Sequence, residues 1–150
     1  MKKVVLTMAA ILSIGAATGF AAPINNLAKG QTAIGFMDDS IYAEHKIADN
    51  VTIGLQRDNV YGQFHLNNNL RAIVGNDGSK MYIGAAVNSS LAPSLDGYAS
   101  IIGASGYKEL QVGANYSLTK NLDLNINYQS YMPDHGSNSN RTAVGASVKF

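Results

Sequence analysis

The chain has 150 residues and no cysteine, and only 14% of its residues are charged, with 11 Lys and Arg against 10 Asp and Glu. The absence of cysteine excludes disulfides and thiolate metal sites. The near neutrality argues against nucleic acid as a partner, and the charged fraction falls well below the ~25% of soluble globular domains. Such sparse charge is normal where lipid is the solvent.

The first residues have the pattern of a signal peptide. Residues 1–3 form a short basic segment, and residues 4–19 are apolar or small without a charge. Gly19 and Ala21 then place small side chains at the positions that a signal peptidase inspects. The apolar stretch is shorter than the ~20 residues of a spanning helix, which argues against a retained membrane anchor. We therefore predict a signal peptide at residues 1–21 and one exported domain at residues 22–150.

From residue 30 onward, apolar and polar residues alternate with the period of two that is typical of β-strands. Asn-containing turn units recur between apolar residues at 47–51, 66–70 and 118–122, as hairpin turns require. The alternation predicts about ten strands, at residues 30–37, 40–47, 51–58, 60–66, 70–75, 80–87, 96–104, 108–118, 122–131 and 141–150. Eight longer strands are the alternative, with residues 57–75 contributing fewer of them.

The two faces of these strands differ in chemistry. One is apolar, as with Leu122, Leu124 and Ile126, whereas the opposite face is rich in Gly, Asn, Gln and Ser. A soluble sandwich would turn the apolar face inward, but a membrane barrel turns it outward and encloses a polar lumen. A closed barrel also leaves no unpaired backbone in lipid. We predict an all-β fold, a single antiparallel up-and-down transmembrane β-barrel, with the apolar face outside.

The last strand ends on an aromatic residue. Four side chains of its apolar face form a candidate sorting strand: Val144, Ala146, Val148 and Phe150. Together with the signal peptide and the strand–turn–strand phrase at residues 42–54, this ending resembles small bacterial outer-membrane barrels of the OmpA and OmpX type. The resemblance implies a monomer in the cell outer membrane of Gram-negative bacteria, in contact with outer-membrane lipid and assembled by the barrel-assembly machinery.

The even strand number places both chain ends and the recurring Asn turns on the periplasmic side. The outer loops are then at residues 38–40, 57–59, 75–79, 105–107 and 131–140, and a longer periplasmic connection spans residues 88–96. Four tyrosines are candidates for the aromatic girdles at the membrane interfaces: Tyr107, Tyr116, Tyr128 and Tyr131.

Seven charged side chains fall on the polar face: Glu44, Lys46, Arg71, Glu109, Asp123, Arg141 and Lys149. We expect them to pair, because an isolated charge in a narrow lumen is costly. The OmpA-type resemblance implies an exchangeable network that gates an ion path. The alternative is a static network, because side chains largely fill the interior of barrels this small. The expected function is a structural role or a narrow passive conduit.

The sequence leaves two alternative functions open. Asp38 with Asp39, and Asp134 with His135, resemble the rim pairs of omptin proteases, which would make the barrel an enzyme. The spacing within each pair differs, and Asp in such loops is usually a turn former, so we predict no enzyme. A secreted or periplasmic soluble barrel that binds a small ligand inside is the other alternative. No metal site or cofactor is predicted, because the histidines lack ligand-like spacing.

Overall fold

The computed structural model describes residues 22–150, so the predicted signal peptide at 1–21 lies outside the described residues. The described part is a barrel of ten strands: β1 (Thr32–Met37), β2 (Ser40–Ala48), β3 (Val51–Gln56), β4 (Asn59–His65), β5 (Leu70–Asn76), β6 (Met81–Ala92), β7 (Leu95–Ala104), β8 (Tyr107–Ser117), β9 (Leu122–Pro133) and β10 (Ser139–Lys149). The ten-strand prediction is confirmed, and the eight-strand alternative is wrong. No helix within residues 22–150 is long and apolar enough to cross a membrane.

The sheet closes on itself. Each strand pairs antiparallel with the next one in the chain, and β1 pairs antiparallel with β10, so that no edge strand remains. Reciprocal backbone hydrogen bonds between Thr32 and Phe150, at 2.8 and 2.9 Å, continue this closing seam one residue past the end of β10. The architecture is therefore the predicted up-and-down barrel, with the start of β1 and the end of β10 at the same end of the cylinder.

The connection between β6 and β7 differs from the prediction. The sequence suggested a long loop at residues 88–96, but β6 continues to Ala92 and the turn is confined to Pro93 and Ser94. Ser94 has a positive φ of 65°, the left-handed conformation that tight turns use. The polar residues of this hairpin lack period-two alternation, and cross-strand pairing down to Ser90 and Asp96 forms the extension nonetheless.

Side chains separate by parity into an outer and an inner face. In β9, Leu124 and Ile126 are 45% and 50% exposed, whereas Asp123, Asn125 and Asn127 are at most 3% exposed. Large exposed hydrophobic side chains occur on every strand except β5. The predicted sidedness is confirmed: the barrel wall is apolar outside and polar inside, the inverse of a soluble barrel and the arrangement that lipid requires.

Inward-pointing tyrosines fill much of the interior. Four of them lie directly opposite a glycine of the neighbouring strand, in the pairs Tyr42–Gly35, Tyr61–Gly54, Tyr82–Gly75 and Tyr98–Gly113. A Cβ at Gly54 would collide with the ring of Tyr61. Glycine at such positions therefore lets a large ring lie flat across the neighbouring strand, which is how aromatic residues cover glycine in curved sheets.

The tyrosine girdle prediction is partly wrong. Tyr116 and Tyr128 point outward and are 48% and 45% exposed. Tyr107 is buried in the interior and packs on the half-buried Tyr131, with 5.0 Å between the ring centroids. The reason is parity, because Tyr107 occupies the same face of β8 as the inward Glu109.

The residues before β1 lie inside the barrel. Ala22, Ile24, Asn25 and Leu27 are at most 3% exposed although they belong to no strand, and Asn26 alone in this stretch is exposed. Ala22 and Ile24 belong to the apolar cluster that contains the inward tyrosines. We call residues 22–27 the lumen segment. It enters from the predicted periplasmic end, where Gly30 N–H donates to the Lys46 carbonyl at 2.8 Å.

The lumen and its charged network

A buried carboxylate forms one half of the central site. Glu44 is fully buried on β2, and its oxygens accept hydrogen bonds from Asn25 Nδ2 at 2.7 Å, Tyr61 Oη at 2.9 Å and Gln63 Nε2 at 2.7 Å. The strand register explains the tyrosine contact. Gly54 lies between Glu44 and Tyr61 in the sheet, so the ring crosses the bare glycine and its hydroxyl reaches the carboxylate. Three donors thus hold Glu44 in one position.

A buried guanidinium forms the other half. Arg71 is fully buried on β5, and its Nη1 donates to the Asn25 carbonyl at 2.7 Å and to Gln63 Oε1 at 2.8 Å. Its Nε donates to Asn88 Oδ1 at 3.2 Å. Arg71 Nη2 has no hydrogen-bond partner among residues 22–150. The guanidinium is therefore held on two sides, and the two N–H groups of Nη2 remain spare.

Two amides join the opposite charges. Glu44 and Arg71 form no ion pair within 4.0 Å in the described part of the chain, but Gln63 and Asn25 each bond to both of them. Gln63 belongs to the wall, whereas Asn25 belongs to the lumen segment. Part of the polar surroundings that stabilise these two buried charges therefore comes from Asn25, which lies outside the sheet.

The lumen segment is held through its carbonyl oxygens. Besides the Arg71 bond to Asn25, Gln111 Nε2 donates to the Ala22 carbonyl at 3.3 Å and Asn115 Nδ2 donates to the Ile24 carbonyl at 2.9 Å. Asn115 Oδ1 in turn accepts from Asn125 Nδ2 at 2.9 Å, so a second wall residue holds the Asn115 side chain in position. Side chains of the wall, rather than a strand ladder, hold the segment.

The remaining predicted lumen charges lie apart from the centre. Lys149 pairs with Asp123 at 2.7 Å near the predicted periplasmic end, and both side chains are at least 87% buried. Arg141 binds Asp38 at 3.5 Å at the opposite rim. Glu109 accepts from Gln129 Nε2 at 2.7 Å on that same side. Lys46 is half-buried at the predicted periplasmic end.

An open cavity of about 350 Å³ lies above the lumen segment at the predicted outer end. Its lining is polar: Glu109, Gln129, Tyr131, Ser137, Ser139 and Arg141. A second polar cavity, of about 410 Å³, lies at the predicted periplasmic end and is lined by Asn26, Lys46, Asp49, His65, Asn67 and Asn68. Polar cavities thus flank the lumen segment from both ends of the barrel.

The acidic residues of the outer rim bind neighbouring arginines. Asp39 pairs with Arg57 at 3.2 Å, and Asp38 pairs with Arg141. In the last loop His135 is exposed, and the backbone N–H of Asp134 donates to the Gly106 carbonyl at 2.9 Å. Within residues 22–150 no group of three or more His, Cys, Asp or Glu is placed to hold a metal ion. The carboxylates of Asp38 and Asp39 therefore each have an arginine partner.

Sequence reasoning missed the lumen segment. Its residues have neither alternation nor charge, and its partners Arg71 and Asn115 lie 46 and 91 residues from the groups they bind. The available signal was Ile24 and Leu27, two large apolar residues in a stretch too short to pair as a strand.

A closed antiparallel barrel with an apolar exterior and a polar lumen defines a small barrel of the transmembrane type. No protein-family model matches this sequence, and no curated protein matches it. Among solved structures, the chain is similar to one described as "De novo design of transmembrane beta-barrels", with 18% identity, a TM-score of 0.44, and coverage of 83% of this chain and 98% of the other. It is also similar to the KdgM porin, with 10% identity, a TM-score of 0.49, and coverage of 84% and 88%. Similarity at this level carries no argument about function.

Proposed function

We propose that the chain is a small integral protein of the bacterial outer membrane whose lumen is a narrow conduit, closed in this structure by the lumen segment. The apolar exterior supports the membrane location, because a barrel wall of this kind is stable only with lipid outside. The predicted signal peptide and the terminal strand support export and insertion. Phe150 is 62% exposed, as a residue read by the assembly machinery would be.

The position of residues 22–27 carries the conduit proposal. They occupy the middle of the lumen, yet they contribute nothing to the ladder of backbone bonds that closes the wall. A few hydrogen bonds from wall side chains hold them there. The wall is therefore complete without the segment. Once the predicted signal peptide is removed, the segment is joined to the barrel only through residues 28–31, so it can leave the lumen without breaking the wall.

A static structural barrel is the second candidate. The tyrosine–glycine pairs pack rings across the interior, and the buried polar network rigidifies it. In that case the lumen segment is a permanent part of the core and the barrel conducts nothing. The rim acids are not proposed as catalytic groups, since Asp38 and Asp39 each bind an arginine.

Conductance of the full chain in planar lipid bilayers separates the two candidates. Asn25→Ala removes one donor to a buried carboxylate, and a hydrogen bond to a charged group contributes about 1.5–3 kcal/mol. We expect the open fraction to rise about 10- to 100-fold over the unmodified chain. Asn26→Ala is the matched control, because Asn26 is exposed in the same segment. If folded Asn25→Ala barrels stay as silent as the control, the structural candidate stands and the conduit is rejected.

A further inference from the structure

Asn25 occupies the central site with two chemically different groups. Its amide nitrogen donates to Glu44 Oε2 at 2.7 Å, and its backbone carbonyl accepts from Arg71 Nη1 at 2.7 Å. Both wall residues are fully buried. One residue of the lumen segment thus presents a donor to a carboxylate and an acceptor to a guanidinium at the same time.

Glu44 and Arg71 have more capacity for charge pairing and hydrogen bonding than Asn25 uses. A carbonyl oxygen carries no formal charge and takes only one donor of the guanidinium, and Arg71 Nη2 has no partner in the described part of the chain. A carboxylate has two oxygens and binds guanidinium in a bidentate fork. The primary amide of Asn25 is also neutral, whereas an ammonium group in its place would bring a full positive charge to Glu44.

We propose that Glu44 and Arg71 form a binding site in the conduit for small solutes that carry a carboxylate and an ammonium or primary amide, and that Asn25 is its tethered equivalent. The inference rests on the proposed conduit, because a solute reaches this site only when the lumen segment leaves it. Gln63, Tyr61 and Asn88 hold the two charged groups in place and so preorganise the site for such a solute.

The covalent structure of Asn25 sets the spacing of the solute. Three carbon atoms, Cγ, Cβ and Cα, separate its amide nitrogen from its carbonyl carbon. Free asparagine and γ-aminobutyrate have the same separation between the donor nitrogen and the carboxylate carbon. Glycine has a single carbon there, too short to reach Glu44 and Arg71 together. Butyrate and butylamine each carry only one of the two groups, and a neutral sugar carries neither.

The test uses the full chain with one introduced cysteine, since the sequence contains none. Ile24 is 2% exposed inside the lumen, so Ile24→Cys reacts with a water-soluble maleimide only when the segment leaves. We expect γ-aminobutyrate at ten times its dissociation constant to raise the labelling rate about tenfold by mass action. Glycine, butyrate and butylamine at the same concentration and ionic strength should leave the rate within about twofold.

A site variant is the second arm. Glu44→Gln combined with Arg71→Gln removes both charges together, so that neither is left buried alone. In this variant, carrying Ile24→Cys, γ-aminobutyrate should act no more strongly than glycine. The comparison of solutes on the unmodified site decides the proposal even if the double variant fails to fold.

The outcomes separate this inference from the conduit proposal. Conducting Asn25→Ala barrels whose Ile24→Cys counterpart ignores γ-aminobutyrate would overturn the site and keep the conduit. Silent bilayers with labelling that responds to γ-aminobutyrate, but not to glycine, would reject the conduit and keep a solute-binding site. An equal response to all four solutes would also overturn the site, because it would show a general effect of added solute.

Discussion

The wall of the barrel and the lumen segment are held by different kinds of interaction. Every wall strand shares a ladder of backbone hydrogen bonds with two neighbours, and the ring is closed between β1 and β10. Residues 22–27 have no strand partner and depend on side chains such as Glu44, Arg71 and Asn115. A ladder is lost cooperatively, whereas a few side-chain bonds can be exchanged for others. This difference supports our proposal that the lumen opens while the wall stays closed as a sheet.

The substitution that we expect to destabilise the barrel most acts on the lipid-facing side of the wall. Leu124→Arg places a charge on the outward face of β9, where arginine in a transmembrane barrel costs about 2–4 kcal/mol at mid-membrane. Leu124→Ala at the same position is the control, since it keeps the face uncharged. Urea unfolding in lipid vesicles measures both. A loss for arginine no greater than for alanine would contradict a lipid-facing wall at this position.

The next substitution changes the wall and should also loosen the lumen segment. Gly54→Ala drives a methyl group into the ring of Tyr61, which also donates to Glu44. We expect a loss of about 1–3 kcal/mol from overpacking, together with faster labelling of Ile24→Cys. Gly62→Ala is the matched control on the neighbouring strand, because a Cβ there has its nearest neighbour at 3.8 Å. Equal behaviour of the two variants would show that the tyrosine–glycine contact does not support the site.

The smallest effect concerns the outer rim and should leave both regions intact. Burial alone would raise the pKa of Asp77, but hydrogen bonds from the Lys80 and Ser79 backbone N–H groups and from Tyr107 outweigh it and lower that pKa below 3.8. A lowered pKa in the folded state stabilises the loop above the unfolded pKa. That stabilisation is lost as the pH falls through the folded pKa.

Hydrogen exchange of residues 77–80 as a function of pH measures this contribution. We expect about 0.2–1 kcal/mol, because Asp77 is only partly buried and solvent screens its charge. Asp77→Asn should abolish the pH dependence while it keeps an acceptor for the loop. An acid transition that persists in Asp77→Asn would assign it to another group.

The sequence predicted the wall well because its signals are local. Alternation along β9 identifies which residues point out, and the Asn turns fix where hairpins reverse. The extension of β6 to Ala92 was missed, since polar residues there pair across the hairpin without alternating. Asn25 was missed for a different reason. Its contacts exist only once distant strands have closed around it, and nothing local marks an amide that will face both Glu44 and Arg71.

Whether residues 22–27 close the lumen can be tested by measuring cysteine labelling and conductance in a single recording. The full chain with Ile24→Cys is held in a planar bilayer while a charged, water-soluble thiol reagent is added on the periplasmic side. Because the modified side chain cannot return among the buried tyrosines, we predict slow modification and a lasting rise in conductance. Asn26→Cys, which is exposed, should react quickly and leave the conductance unchanged. Complete modification of Ile24→Cys without a change in conductance would contradict the claim that this segment closes the lumen.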